Sequence, residues 1–142
     1  MNTWRVVLDT NVVVAALRSD QGASYQLLMM LGGDRFEICL TVPLCVEYEA
    51  ATMRLVGETP LTIRDIGDVL DYLCSQANRC KVNYLWRPFL GDPDDDMVLE
   101  AAVAAGAKYI VTHNTRDFAG VEEFGIRVCK PKAFLNTVRR RT

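Results

Sequence analysis

Four aspartates lie within residues 92–96, directly before an apolar run with a helical pattern. Capping explains part of this cluster, because Asp92 suits the position before a helix and Pro93 suits its first position. Asp94 and Asp95 would lie in the first turn, whose free N–H groups attract negative charge. We therefore expect these three aspartates to act mainly as capping and solvated acids, each of which could still reach an ion through water.

Asp96 needs a further explanation. On a 3.6-residue period it shares a helix face with Leu99 and Val103, which directs its carboxylate toward the interior. A carboxylate in an apolar interior is costly unless it is paired or coordinated. The pattern therefore predicts that Asp96 is a metal ligand.

Two more acids stand where predicted elements would bring them to a ligand site. The β-branched run at residues 5–8 predicts a central strand buried on both faces, and Asp9 closes it. Ligands of parallel sheets bind outside the carboxyl ends of the strands, although Asp9 could equally well cap the next helix. In the helix predicted over residues 41–54, Glu47 shares a face with apolar residues while Glu49 turns away, so Glu47 is the more informative acid.

A second group of polar residues follows the strand predicted at residues 108–112. Asn114 and Asp117 are released at the carboxyl end of that strand, again on the ligand side of a parallel sheet. His113 could bind a metal or act as a general base. A solvated loop histidine is the favoured interpretation, because no second His or Cys accompanies it.

The order of the elements predicts an α/β domain with a mainly parallel sheet of four or five strands, because strand-like and helix-like segments alternate. Length and composition are those of one globular domain over residues 1–142. Strand-like runs occupy residues 5–8, 36–40, 80–84, 108–112 and 125–129, and helical patterns occupy residues 12–17, 23–31, 41–54, 61–77, 97–105 and 131–138.

Composition also limits the function. No apolar run approaches the ~20 residues of a membrane span and no signal peptide is recognisable, so a cytoplasmic protein is expected. Five cysteines without a C-x-x-C pair favour buried reduced thiols over disulfides or zinc.

The net charge of −2 gives no general attraction for nucleic acid. The arginines at residues 139–141 could attract phosphate, or could interact with a helix dipole and form a solvated tail.

The acids from separate segments suggest one metal centre. Asp9, Glu47, Asp96 and Asp117, with Asn114, would meet at the carboxyl edge of the sheet. Oxygen donors without His or Cys suit Mg²⁺ or Mn²⁺. Such a centre can activate water and neutralise charge on a phosphoryl group, through one ion or two. Trp86 and Arg87 could stack on or hold a nucleotide, or pack beside the core.

The chain resembles PIN-domain ribonucleases, most closely the branch of VapC-like toxin components of toxin–antitoxin pairs. The segments that carry the resemblance are VVLDTNVVVAAL, VPLCVEYEAATMR, LGDPDDDMVLEAAVAAGAKYIVT and HNTRDF, in this order over nearly the whole chain. The resemblance implies a three-layer α/β/α fold and a Mg²⁺- or Mn²⁺-dependent endoribonuclease. It also implies an RNA substrate, an antitoxin partner and a homodimer.

The resemblance assigns roles residue by residue. Asp9, Glu47 and Asp96 correspond to the metal ligands, and Asp117 joins them as the fourth catalytic acid. The family often has Asp where this chain has Asn114, so either Asp117 completes the site or three carboxylates and water hold the metal. Residues expected to contact the substrate or support the ligands are Asn11, Thr112, Asn114 and Arg116.

Two other functions remain open. A catalytically idle PIN-like domain that binds RNA or a protein is supported by Asn114. A metal-dependent phosphatase or receiver-like module with Asp9 as phospho-acceptor is weaker, because Asn11 stands where a second acid would be needed.

Overall fold

The computed structural model of the chain describes residues 3–83 and 88–141. The described strands form a five-stranded, entirely parallel sheet in the order β3-β2-β1-β4-β5. This architecture confirms the predicted α/β fold. The strands are β1 (Trp4–Leu8), β2 (Phe36–Leu40), β3 (Asn78–Arg79), β4 (Tyr109–Val111) and β5 (Arg127–Cys129).

Helices connect the strands and pack against the sheet. The helix that begins in the acidic cluster contacts the three central strands β1, β2 and β4. The helices are α1 (Thr10–Arg18), α2 (Ala23–Met29), α3 (Val42–Met53), α4 (Ile63–Gln76), α5 (Pro93–Ala105) and α6 (Pro131–Arg140), and short 3₁₀ turns cover Arg54–Gly57, Thr115–Phe118 and Val121–Phe124.

The central position of β1 follows from its composition. Val6, Val7 and Leu8 are almost fully buried, as the unbroken β-branched run predicts for a strand covered on both faces. Strand β1 pairs with β2 on one side and with β4 on the other. The order of the sheet therefore brings Asp9 next to the end of β4, over a sequence distance of about one hundred residues.

Residues at the two ends of α5 cap the helix. Asp92 caps the helix by accepting a hydrogen bond from the Asp94 N–H at 2.9 Å, and Pro93 occupies the first position. At the other end Gly106 adopts φ +63°, a left-handed conformation that glycine enters without a side-chain clash. The predicted positions of Asp92 and Pro93 are confirmed, and α4 begins with a capping box formed by Thr62 and Asp65.

The buried face of α3 differs from the predicted one. Leu44, Tyr48 and Thr52, spaced four residues apart, face the core, whereas Val46 is 59% exposed. The Tyr48 hydroxyl donates a hydrogen bond to the Leu8 carbonyl and so orients the helix. Glu47 consequently lies beside the buried stripe and not on it, because one position around a helix turns a side chain by about 100°.

The strand predicted at residues 80–84 is also misplaced. Strand β3 is the pair Asn78–Arg79, and residues 80–83 are not a strand. Its partner β2 ends at Leu40, whose carbonyl accepts the last hydrogen bond, from the Cys80 N–H at 2.8 Å. A longer strand would have no neighbour. Tyr84, Trp86 and Arg87 lie outside the described residues.

Two predictions from composition can be compared with the structure. All five cysteines are free thiols. Within residues 3–83 and 88–141, no helix combines the length and the apolar character that crossing a membrane requires.

Candidate active site

An open cavity of about 520 Å³ lies at the carboxyl ends of β1 and β4, between α1, α3 and α5. We call it the acidic cavity, because six carboxylates from four separate segments of the chain line it. The carboxylates are those of Asp9, Glu47, Asp92, Asp94, Asp95 and Asp117.

Asp9 forms the floor of the acidic cavity and is only 8% exposed. One carboxylate oxygen accepts the Thr10 N–H at 2.8 Å and the other accepts the Thr112 hydroxyl at 2.7 Å. Burial raises the pKa of this carboxyl group, and the Thr112 hydrogen bond opposes the rise. Asp9 is therefore both a helix cap, as one interpretation of the sequence proposed, and part of the lining of the acidic cavity.

Thr112 connects the two central strands at the site. Its side chain is fully buried, donates to Asp9 and accepts the Asn114 N–H at 3.0 Å. The Asn11 amide oxygen accepts the His113 N–H at 3.2 Å, which ties the start of α1 to the same loop. These bonds hold the Asp9 carboxylate in one orientation, so Thr112 and Asn11 support the site as expected, and Asn11 itself lines the cavity.

Glu47 reaches the acidic cavity from α3 and is partly exposed. Desolvation raises the pKa of its carboxyl group, and the nearby charges of Asp94 and Asp9 raise it further, while Arg54 lowers it. Arg54 lines the same cavity together with Arg18, which is paired with Glu58 at 2.6 Å. The rim thus contains positive groups beside the acids.

The carboxyl group of Asp95, which lines the acidic cavity, has a strongly raised pKa. Partial burial comes first among the causes, and repulsion from Asp92, Asp9, Asp117 and Asp94 adds to it, so that its pKa rises to about 7. Such crowding of like charges disfavours ionisation in the absence of a cation. A cation bound near Asp95 would therefore favour the charged form of this carboxylate.

The structure does not bring Asp96 to the acidic cavity. Its side chain is 1% exposed, which agrees with the predicted inward orientation. However, its Oδ1 accepts the backbone N–H groups of Leu90 at 2.8 Å and of Phe89 at 3.3 Å. Asp96 thus provides the hydrogen-bond acceptor for backbone N–H groups of the loop before α5. Asp95, one residue earlier, lines the acidic cavity with the other carboxylates.

The residues after β4 divide into two groups. Asn114 and Asp117 line the acidic cavity, as predicted, whereas Arg116 is exposed and does not line it. Exposed His113 places its Nε2 3.2 Å from the Ser24 hydroxyl. The imidazole is therefore a loop group in contact with α2 and not a member of the cavity lining.

Sequence reasoning missed Asp95 and the two arginines of the rim. Asp95 could not be distinguished from Asp96 by helical periodicity, because both stand in the first turns of one helix and the choice depends on the loop that folds against it. A weak signal existed for both arginines, because Arg18 is the last residue of α1 and Arg54 directly follows α3, and cations are favoured at the C-terminal ends of helices.

The side chains that line the acidic cavity have the oxygen donors that a hard divalent cation prefers. The cavity contains only oxygen ligands, and the repulsion between them is relieved by positive charge. Among the residues that the structure describes, no three acidic, His or Cys side chains are already close enough to hold an ion together. This spacing suits Mg²⁺, which commonly keeps several waters and takes only one or two carboxylates together with substrate phosphates.

A family model for the PIN domain matches residues 5–116, which is more than half of the chain and includes every segment that lines the acidic cavity except Asp117. The chain belongs to the PIN domain family. PIN domains are generally nucleases that act on RNA and typically use divalent metal ions. No curated protein matches this PIN domain.

The position of Asp96 predicts a stability effect. Asp96→Ala should lower the free energy of unfolding by about 2 to 6 kcal/mol, because two backbone N–H groups of the loop lose their acceptor at about 1 to 3 kcal/mol each. Asp94→Ala is the matched control on the exposed side of the same turn, with an expected loss below about 1 kcal/mol. Urea unfolding measures both, and equal losses would contradict the assigned role.

The raised pKa of Asp95 predicts a pH dependence in the metal-free protein. The folded pKa of about 7 lies above the unfolded value of about 3.9, so the folded state holds an extra proton between these limits. Stability in EDTA should therefore fall as the pH rises from about 4 to about 7, and Asp95→Asn should reduce this fall. Asp71→Asn, in an exposed position on α4, should not. Denaturant titrations at several pH values make the comparison.

Proposed function

We propose that this PIN domain is a Mg²⁺- or Mn²⁺-dependent endoribonuclease. The observation that carries the proposal is the convergence of Asp9, Glu47, Asp95 and Asp117 on one open cavity at the carboxyl edge of the sheet. Without a cation these groups repel one another and also repel a phosphodiester. A divalent cation held there would supply positive charge to the phosphoryl group and activate water for its hydrolysis.

The protein residues contribute binding and orientation. Asp9 is the least mobile acid, because Thr10 and Thr112 fix both of its oxygens. Glu47 and Asp95 face it from α3 and α5 and complete the acidic wall. Arg54, on the rim, is placed to contact a phosphate next to the scissile bond. We therefore assign metal binding to the acids and substrate contact to Arg54 and the polar groups of the loop after β4.

This chain has Asn114 at the position where PIN domains often have a fourth acid. Asn114 and Asp117 both line the cavity, and no hydrogen bond joins the Asp117 carboxylate to another described residue. An anionic side chain without such a bond is available to an ion or its water shell. Asp117 is therefore the proposed replacement for the acid that Asn114 lacks.

The resemblance to VapC-like proteins extends the proposal to the biological role. As a toxin component, the domain would act on RNA in the cytoplasm and would be silenced by an antitoxin protein. A short neighbouring reading frame that encodes a DNA-binding antitoxin would support this role. Its absence, together with normal growth of cells that express the chain, would contradict it.

Self-association is part of the same proposal. Apolar side chains of α1, α2 and α4 form a groove in which Met29 is 57% exposed and Tyr72 is 41% exposed. A second copy covering this groove would remove apolar surface from water. We expect a homodimer in sedimentation velocity that Met29→Glu dissociates, whereas Glu122→Lys, a charge change on the Val121–Phe124 turn, should not. A monomeric wild type at micromolar concentration would exclude the homodimer.

The central test is RNA cleavage by the purified protein. Mg²⁺ or Mn²⁺ should support cleavage of single-stranded RNA and EDTA should abolish it. Asp9→Asn and Asp95→Asn should each lower the rate by on the order of 100-fold, since each removes charge from the ion site. Asp117→Ala should cost far more activity than Asn114→Ala, because a lost anionic ligand weakens an ion more than a lost amide.

Controls separate chemistry from folding in this test. Each variant is compared at a temperature where circular dichroism shows the folded state, and Asp71→Asn serves as a charge-matched control outside the cavity. Cleavage in EDTA, or unaffected cleavage by Asp95→Asn, would contradict the proposed centre. Binding of RNA without cleavage by any form would instead favour the catalytically idle domain.

A further inference from the structure

Positive side chains line the edge of the sheet opposite the acidic cavity. Neighbouring strands β2, β1, β4 and β5 have a cation at or next to their amino ends: Arg35, Arg5, Lys108 and Arg127. The registers place Arg5 opposite Glu37, and Tyr109 opposite both Val6 and Arg127, so these cations form a row across the sheet. Adjacent strands lie about 4.8 Å apart.

The C-terminal helix adds three more cations to this edge. Helix α6 starts after the carboxyl end of β5 and runs back, so it ends near the amino ends of the strands. The contact that shows this is the hydrogen bond from Arg35 Nη1 to the Val138 carbonyl, at 3.2 Å. We call the combined set, without Arg5, which is paired with Glu37, the basic edge; it consists of Arg35, Lys108, Arg127, Arg139, Arg140 and Arg141.

Several members of the basic edge are held against the protein body. Arg141 donates to the Arg35 carbonyl at 3.3 Å and lies 4.1 Å above the Trp4 ring, and the Lys108 ammonium lies 4.9 Å from the same ring. Arg139 donates to the Gln26 side chain on α2. Arg139 and Arg141 are therefore held on the surface, unlike the solvated tail that the sequence also allowed.

Acids near this edge offset only part of its charge, and they include Glu122 and Glu123 on the turn before β5. Glu37 is paired with Arg5 at 3.1 Å, and Asp34 lies in the turn before β2. Lys108, Arg127 and Arg140 form no ion pair with any residue in the described ranges. The net charge of −2 therefore does not reveal that acids and bases are concentrated at opposite ends of the strands.

We propose that the basic edge binds the phosphodiester backbone of RNA that extends beyond the acidic cavity. This inference rests on the proposed function and names a second contact surface for the same substrate. A five-residue strand spans about 17 Å, so RNA longer than a few nucleotides can pass from one edge to the other. The acids of the cavity repel flanking phosphates, so beyond the contact assigned to Arg54, affinity for a long RNA would come from cations elsewhere.

The contacts at the basic edge also define the kind of recognition. Arg141 and Lys108 already cover the Trp4 ring, so it is not an open platform on which a base could stack. The basic edge therefore offers charge without base readout. Binding should depend strongly on salt and little on nucleotide sequence.

The test compares a long RNA with a short one. A fluorescent single-stranded RNA of mixed sequence is titrated in EDTA, where no cleavage occurs, with wild type and with the triple variant Lys108→Gln, Arg127→Gln and Arg140→Gln. We expect roughly tenfold or weaker binding by the variant at moderate salt, and a salt slope reduced by about 2, since each phosphate contact of a single strand contributes about 0.7. Cleavage of a dinucleotide with Mg²⁺ should be unchanged.

A second triple variant provides the control. Arg64→Gln, Arg79→Gln and Lys81→Gln remove the same charge from α4 and the β3 region, away from the basic edge, and should weaken binding less than twofold. If both triple variants bind RNA equally, the basic edge is not the RNA surface. If only the binding of a polyglutamate peptide falls, the edge serves an acidic protein segment and the inference is overturned.

A double variant and the dinucleotide assay separate loss of RNA binding from loss of folding or of catalysis. The double variant Arg127→Gln and Arg140→Gln changes only exposed side chains, so it replaces the triple variant if the loss of Lys108 from the Trp4 ring impairs folding. Failure of wild type to cleave the dinucleotide contradicts the proposed function. Equal RNA binding by wild type and the basic-edge variants contradicts this inference alone, because that measurement needs no catalysis.

Discussion

The pairing of β1 with β4 is the constraint on which the candidate site depends. The Asp9 N–H donates to the Val111 carbonyl at 2.9 Å, and the Thr112 hydroxyl donates to Asp9 at 2.7 Å, so backbone and side chain join the two strand ends. This junction sets the position of α1, which Asp9 caps, and of the loop that presents Asn114 and Asp117. Tyr48 extends it to α3 through the Leu8 carbonyl. A shift of either strand by one residue would point Asp9 away from the cavity.

The acids near the start of α5 show how adjacent residues can serve stability and chemistry separately. Asp92 caps the helix, and Asp96 accepts two N–H groups of the preceding loop. Asp95 accepts no hydrogen bond from another described residue and remains among like charges, with its pKa raised to about 7. The helix is thus stabilised by acids on both sides of one whose charged form is unfavourable. A site of this kind is destabilised in the free protein and gains stability when a cation binds.

Charge separation along the strands gives the molecule two poles. The acidic cavity lies at the carboxyl ends, where α1 and α5 begin and their N-terminal dipoles favour negative charge. The basic edge lies at the amino ends, where α6 finishes with Arg139 and Arg140, as a C-terminal dipole favours. The parallel sheet therefore explains both poles, because it orients all the connecting helices with respect to the same two edges.

The sequence alone determined the order of strands and helices, most of their caps and the oxygen character of the site. These features are local: hydrophobic period, capping residues and the acids that follow a strand are all read within a few neighbouring positions. They were sufficient for the parallel α/β fold and for placing Asp9, Glu47 and Asp117 at one edge of it.

Only the tertiary structure decided which side chain of a suitable segment faces the cavity. Asp95 lines it in place of Asp96 because the N–H groups of Phe89 and Leu90 take the Asp96 carboxylate as their acceptor. Val46 is exposed because the face of α3 that contains Tyr48 packs against the end of β1. The basic edge arises from residues about one hundred positions apart, such as Arg35 and Val138. Such choices depend on contacts through space, and no short stretch of sequence contains both partners.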